Sequence, residues 1–280
     1  MWFPCAGERL LGIAHSGDDD FPIGVVVVVG GPQYRAGSHR QFVLLARGLA
    51  RAGYPVLRFD YRGMGDSGGA PRTFEGVHDD IRAAVDAFVR RFPHAGRVVL
   101  WGLCDAASAI AFYAAHDPRI AGIVMLNPWV RTEEGRAGAY LRHYYWRRLL
   151  DPRFWRKLAS GRFDPRSSLG SLVALARAAS GRAGTGKPSR EAESDARPLP
   201  ARVLEGLERY RGPVLFVLSG RDLTAGEFKD VLGDSKRWSR LLESPRCTRH
   251  DVAAADHTFS RREWSDRVAD LTRAWLDDLR

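Results

Sequence analysis

Five consecutive valines, Val25–Val29, lie between Gly24 and Gly30. An amphipathic strand alternates apolar and polar residues, so an unbroken β-branched run belongs to a strand covered on both faces. Such strands occur at the centre of parallel sheets whose helices pack above and below. The rest of the chain repeats the pattern: Val56–Asp60, Val98–Trp101, Ile120–Leu126 and Pro213–Gly220 read as strands, separated by helical spacing at about 38–53 and 74–92. Trp2–Pro4 and Leu10–His15 read as a short hairpin ahead of them. A final helix carries Trp264, Val268, Leu271, Trp275, Leu276 and Leu279 on one stripe, as a helix facing a core does. The expected fold class is therefore α/β, a mostly parallel central sheet with helices on both faces. Its site should lie beyond the carboxyl ends of the strands.

One junction carries more than fold. Arg97-Val-Val-Leu-Trp-Gly-Leu-Cys104-Asp-Ala-Ala-Ser reads as buried strand, abrupt turn and helix. Gly102-x-Cys104-x-Ala106 is the Gly-x-Ser-x-Gly pattern of a nucleophile elbow, with thiol for hydroxyl. A helix N-terminus favours a thiolate, the form that attacks carbonyl carbon. The competing reading is a buried structural cysteine at a strand end.

Later segments provide the groups a nucleophile needs. Asp222 follows an apolar strand, in Gly220-Arg-Asp222, and His257 stands in a loop before the final helix. An imidazole held in one tautomer by a carboxylate is a general base. Cys104, Asp222 and His257 are thus candidate catalytic residues. The loop Gly30-Gly31-Pro32-Gln33 leaves the valine strand beside the elbow. Oxyanion donors are backbone amides, which excludes Pro32, so Gly31 is the first candidate, Gln33 the second, and the amide of Asp105 the partner donor.

The order nucleophile, acid, base resembles that of α/β-hydrolases, as does the turn Asp60-Tyr-Arg62-Gly-Met-Gly65-Asp-Ser67. Val29-Gly-Gly-Pro-Gln33 is similar to the His-Gly-Gly-Pro-Gly loop of proline iminopeptidases, with Val29 in place of an anchoring His. Residues 30–39, Gly102–Asp105, Ser219–Ala225 and Asp256–Phe259 together resemble the type 1 hydrolases encoded with bacterial exosortase A systems. That resemblance implies an α/β-hydrolase fold with a helical lid and a role near exopolysaccharide assembly. Cysteine as the nucleophile, as in dienelactone hydrolases, favours esters, thioesters or lactones, with transfer of the acyl group to a sugar hydroxyl as a variant. The expected substrate is a small acyl or acyl-sugar compound.

The net charge of +10 is concentrated: residues 131–166 hold ten Lys or Arg against four Asp or Glu. This segment follows the sixth strand, where such folds carry a lid, and interleaves Tyr144 and Trp146 with its arginines. The organisation expected is a hydrolase core at 1–130 and 201–280 and a lid insertion at 131–200, with a Gly/Ser/Pro-rich flexible loop at 180–200. Tyr34, Tyr144 and Trp146 are candidate substrate contacts. A basic aromatic lid suits anionic or amphipathic substrates or peripheral contact with an anionic membrane surface. Alternatively, its arginines simply solvate outer helix faces, or the chain is a non-catalytic scaffold binding a partner or polymer through that lid. Asp105 beside the thiol supports the scaffold, because a neighbouring carboxylate disfavours a thiolate.

No nucleic-acid-binding module is present, so nucleic acid is not expected as a partner. The histidines other than His257 show no ligand spacing; no metal and no cofactor are expected. Three cysteines, Cys5, Cys104 and Cys247, form neither a disulfide framework nor a zinc site. With no secretory signal or transmembrane run in the sequence, the expected location is cytoplasmic.

Overall fold

A computed structural model describes residues 1–31, 33–130 and 197–279. Strands β1 (Trp2–Cys5), β2 (Glu8–His15), β3 (Ile23–Val28), β4 (Val56–Phe59), β5 (Arg97–Leu103), β6 (Ile120–Leu126), β7 (Val214–Ser219) and β8 (Cys247–Val252) form one sheet. Their order is β1-β2-β4-β3-β5-β6-β7-β8. The β1–β2 and β2–β4 pairs are antiparallel and the remaining pairs parallel. This is the α/β-hydrolase arrangement expected from the sequence. Met1–Val130 with Pro200–Arg280 make up one compact unit.

The valine run fills the interior, as its composition requires. Val25 to Val29 are all 0–1% exposed, and each fully buried valine contributes about 1.5–3 kcal/mol. Val25, Val27 and Val29 share a core with helix α1 (Gln41–Arg51) and the last helix, α7 (Arg262–Asp277). Helices α2 (His78–Arg91) and α3 (Asp105–Tyr113) pack on the sheet as well. At Gly24 a Cβ would lie 2.2 Å from the Phe88 ring, so the glycine before the run is a seat for α2.

The expected helix at 38–53 is broken. Ser38–Arg40 is a 3₁₀ turn and α1 begins only at Gln41, because His39 (φ 52°) and Arg40 (φ 61°) are left-handed and interrupt the helical hydrogen-bond series. The segment expected to loop as far as residue 200 ends sooner: helix α4 (Leu199–Arg209) starts inside it. The basic segment expected as a lid, with Tyr144 and Trp146, lies outside the described residues. Among those described, no helix is long and apolar enough to cross a membrane.

Candidate functional site

Strand β5 delivers its chain to Cys104 at φ 64°, ψ −126°, and α3 starts at the next residue. A non-glycine residue there is strained, so the surroundings must hold it. The Cys104 amide donates to the Leu126 carbonyl at 2.9 Å, and its own carbonyl accepts from Ala107 and Trp129 at 3.1 and 3.2 Å. Gly102 permits the tight return of the helix: a Cβ there would lie 2.6 Å from Ile110 Cδ1, 2.9 Å from the Ala106 carbonyl carbon and 3.0 Å from the Ala107 amide.

At the end of β7, Asp222 caps helix α5 (Leu223–Asp234), accepting from the Thr224 and Ala225 amides at 3.1 and 3.0 Å. Its Oδ2 also meets His257 Nδ1 at 2.8 Å. Burial alone would raise the Asp222 pKa, but the bonds to His257 and to the two amides hold it below the ordinary carboxylate value. An ionised acceptor requires His257 to carry a proton on Nδ1, and the Cys104 side chain acts on the same imidazole. Burial would lower the imidazole pKa; the bonds to Asp222 and Cys104 outweigh it and push the value up to about 10. Asp222 and His257, far apart in sequence, therefore meet at the carboxyl edge of the sheet.

The His257 loop is itself fixed. Asp256 accepts from the Ser260 amide at 3.0 Å and from its hydroxyl. Asn127, fully buried just after β6, donates from Nδ2 to the His257 carbonyl at 2.9 Å and accepts from the Ser219 amide at 2.8 Å. Sequence reading overlooked Asn127. The available signal was an asparagine at a strand's carboxyl end, beside the site and at a turn.

The first oxyanion candidate is held by the Asp105 side chain. Gly31 (φ 59°) does lie against the elbow, but its amide donates to Asp105 Oδ2 at 2.9 Å, while Asp105 Oδ1 accepts from the Ala106 amide at 3.0 Å. The side chain of Gln33 turns away to Ser38 Oγ at 2.9 Å and to Gln41 at 3.3 Å. Tyr34 is 51% exposed, with the Arg35 guanidinium 5.7 Å from its ring. Arg35 ties this loop to the turn after β4: its amide donates to fully buried Asp60 at 2.6 Å, and its guanidinium pairs with Asp60 and Asp66. Among the described residues, no group of three His, Cys, Asp or Glu is placed to hold a metal ion.

The family model described as Hydrolase_4, serine aminopeptidase S33, matches residues 21–258. Among solved structures, the Pyrococcus furiosus esterase Pf2001 is 17% identical with a TM-score of 0.62, over 99% of this chain and 92% of that one. Est1E from Butyrivibrio proteoclasticus, solved with ferulic acid bound, is 15% identical with a TM-score of 0.64, over 100% and 98%. At these identities the likeness is one of fold. The quorum-quenching protein AidA of Acinetobacter baumannii is 35% identical over 82 residues, which span only 28% of this chain and 27% of that protein.

Proposed function

The chain belongs to the Hydrolase_4 family of α/β-hydrolases, and on that premise we propose that it is a cysteine-nucleophile hydrolase of esters, thioesters or lactones. One observation carries the reading: a strained elbow presents Cys104 to His257, and His257 is held by Asp222. In the reaction the proton shared by Cys104 and His257 rests on the imidazole, sulfur bonds to the acyl carbon, and the carbonyl π pair moves to oxygen. Collapse of that oxyanion expels the alcohol or thiol, which takes its proton from His257. Water, losing a proton to the same imidazole, then cleaves the thioester and restores the thiol. A sugar hydroxyl in place of water gives acyl transfer.

The resemblance to hydrolases of exosortase A systems supports a role near exopolysaccharide assembly, and the proposed substrate is a small acyl or acyl-sugar compound. Cytoplasmic location and peripheral contact with anionic membrane through the basic segment belong to the same proposal. The test is intact-mass spectrometry after exposure to a p-nitrophenyl ester. An acyl adduct should form on Cys104, and Cys104→Ala should lower kcat by about 10⁴-fold or more. An adduct on Cys5 or Cys247 instead, or undiminished turnover in Cys104→Ala, rejects the proposal.

A second reading, a non-catalytic scaffold, is favoured by one observation: the Asp105 carboxylate is bound to the Gly31 amide, which an oxyanion would need. A protein that hydrolyses none of a panel of esters, thioesters and lactones, and whose thiol is never acylated, would be the scaffold.

A further inference from the structure

We propose that Asp105 determines which ligands the oxyanion pocket admits: its carboxylate is the pocket's resting occupant, and a substrate oxygen has to displace it. The inference rests on the hydrolase reading above and concerns the same site.

Two oxygens of one side chain take up the local amides. Oδ2 accepts from Gly31 and Oδ1 from Ala106, at 2.9 and 3.0 Å. On the hydrolase reading Gly31 is one of the two amides an acyl oxygen needs, so the carboxylate holds a donor that a tetrahedral oxyanion would require. The fold is shaped around this occupant. A Cβ on Gly30 would lie 2.0 Å from Asp105 Oδ1 and 2.8 Å from the Ala106 amide. Gly30 is not among the glycines with positive φ, so its lack of a side chain supplies room for the carboxylate and not a special backbone conformation. Burial raises the pKa of Asp105, against the amides that favour its anion.

Two anions cannot share these donors. Turnover therefore requires the side chain to leave, and ligands differ in how well they drive it out. A neutral acyl carbonyl gains the amides on entry, whereas one with a carboxylate beside it also meets the repulsion of Asp105. The site should accordingly prefer neutral acyl groups.

Aldehydes read the pocket directly, since the Cys104 thiolate adds to the carbonyl carbon and the π pair moves to an oxygen that then needs the amides. Inhibition by butanal and by glyoxylate is to be measured for the wild type, Asp105→Ala and Asp105→Asn, with Gly30→Ala as a variant that crowds the carboxylate from the other side. Butanal should bind at least about tenfold more tightly to Asp105→Ala than to wild type, and the wild-type preference for butanal over glyoxylate should shrink in both Asp105 variants. Affinities that stay level or weaken in both, with Cys104 still alkylated by iodoacetamide, would overturn the proposal and make the carboxylate a latch for the loop. If butanal responds as expected but no p-nitrophenyl ester ever acylates Cys104, the hydrolase reading fails and the pocket assignment stands.

Discussion

The side-chain amide of Asn127 grips the main chain of His257, donating to its carbonyl at 2.9 Å, and the same amide accepts from Ser219 at 2.8 Å. Asn127 is fully buried at φ 42°, a conformation asparagine tolerates better than most residues. It thus ties the ends of β6 and β7 to the loop that carries the imidazole. Asn127→Ala removes both bonds, and each buried group left unpaired costs about 1–3 kcal/mol. Asn127→Asp keeps the acceptor for Ser219 and loses the donor to His257. We expect kcat to fall about 10- to 100-fold in both variants with little change in KM, because a misplaced imidazole harms the chemical step more than binding. A fall in Asn127→Ala alone would mean that the Ser219 contact is the one that matters.

Replacement of Asp222 by asparagine tests the electrostatics of the site. The His257 pKa lies above its ordinary 6.5, at about 10, so its contribution to stability is complete below pH 6.5 and is lost as pH rises through about 10. The depressed Asp222 pKa works in the opposite sense: its contribution is present above the ordinary 3.8 and disappears as pH falls through the lower folded value. Asp222→Asn removes the partner and lets the imidazole take the wrong tautomer, which costs about 10⁴ in kcat in a comparable arrangement. Thermal melts of wild type and variant should differ most at pH 5–6 and converge toward pH 10. A Tm difference that is equal at pH 6 and pH 10 would count against the coupling.

What could be read from the chain and what could not divide along physical lines. The valine strand, the elbow at Cys104 and the carboxylate at Asp222 were legible because local pattern dictates each: a run apolar on both faces, small residues around a turn, an acid after a strand. His257 was legible through its order in the chain. The site contacts of Asn127 were hidden because its partners are backbone groups at Ser219 and His257, far along the sequence. Strand β8 was missed for a different reason. Its residues Arg249, His250 and Asp251 give it no apolar period, as suits a strand at the sheet edge. The break at His39 and Arg40 arises from left-handed backbone at residue types that do not signal it. The rotamer that sends Asp105 toward Gly31 depends on the missing Cβ of Gly30, a relation between two elements that no single window of sequence displays.

Strain at the elbow gives a prediction in which stability and activity move apart. Cys104 at φ 64°, ψ −126° occupies a region that costs a side-chain-bearing residue about 1–3 kcal/mol. Glycine adopts the same backbone without the steric conflict, and its greater freedom in the unfolded chain returns roughly 0.5–1 kcal/mol of that gain. Cys104 is only half-buried, so the packing lost with its sulfur is small. Cys104→Gly should therefore be more stable than wild type by about 1 kcal/mol, a rise in Tm of about 2–4 °C for a domain of this size, and should be inactive. Alanine is the control: Cys104→Ala also lacks the thiol but keeps a Cβ and hence the strain, so it should melt below the glycine variant. Equal melting temperatures for the two would assign any stabilisation to loss of the thiol, and would show that the backbone at position 104 stores no strain.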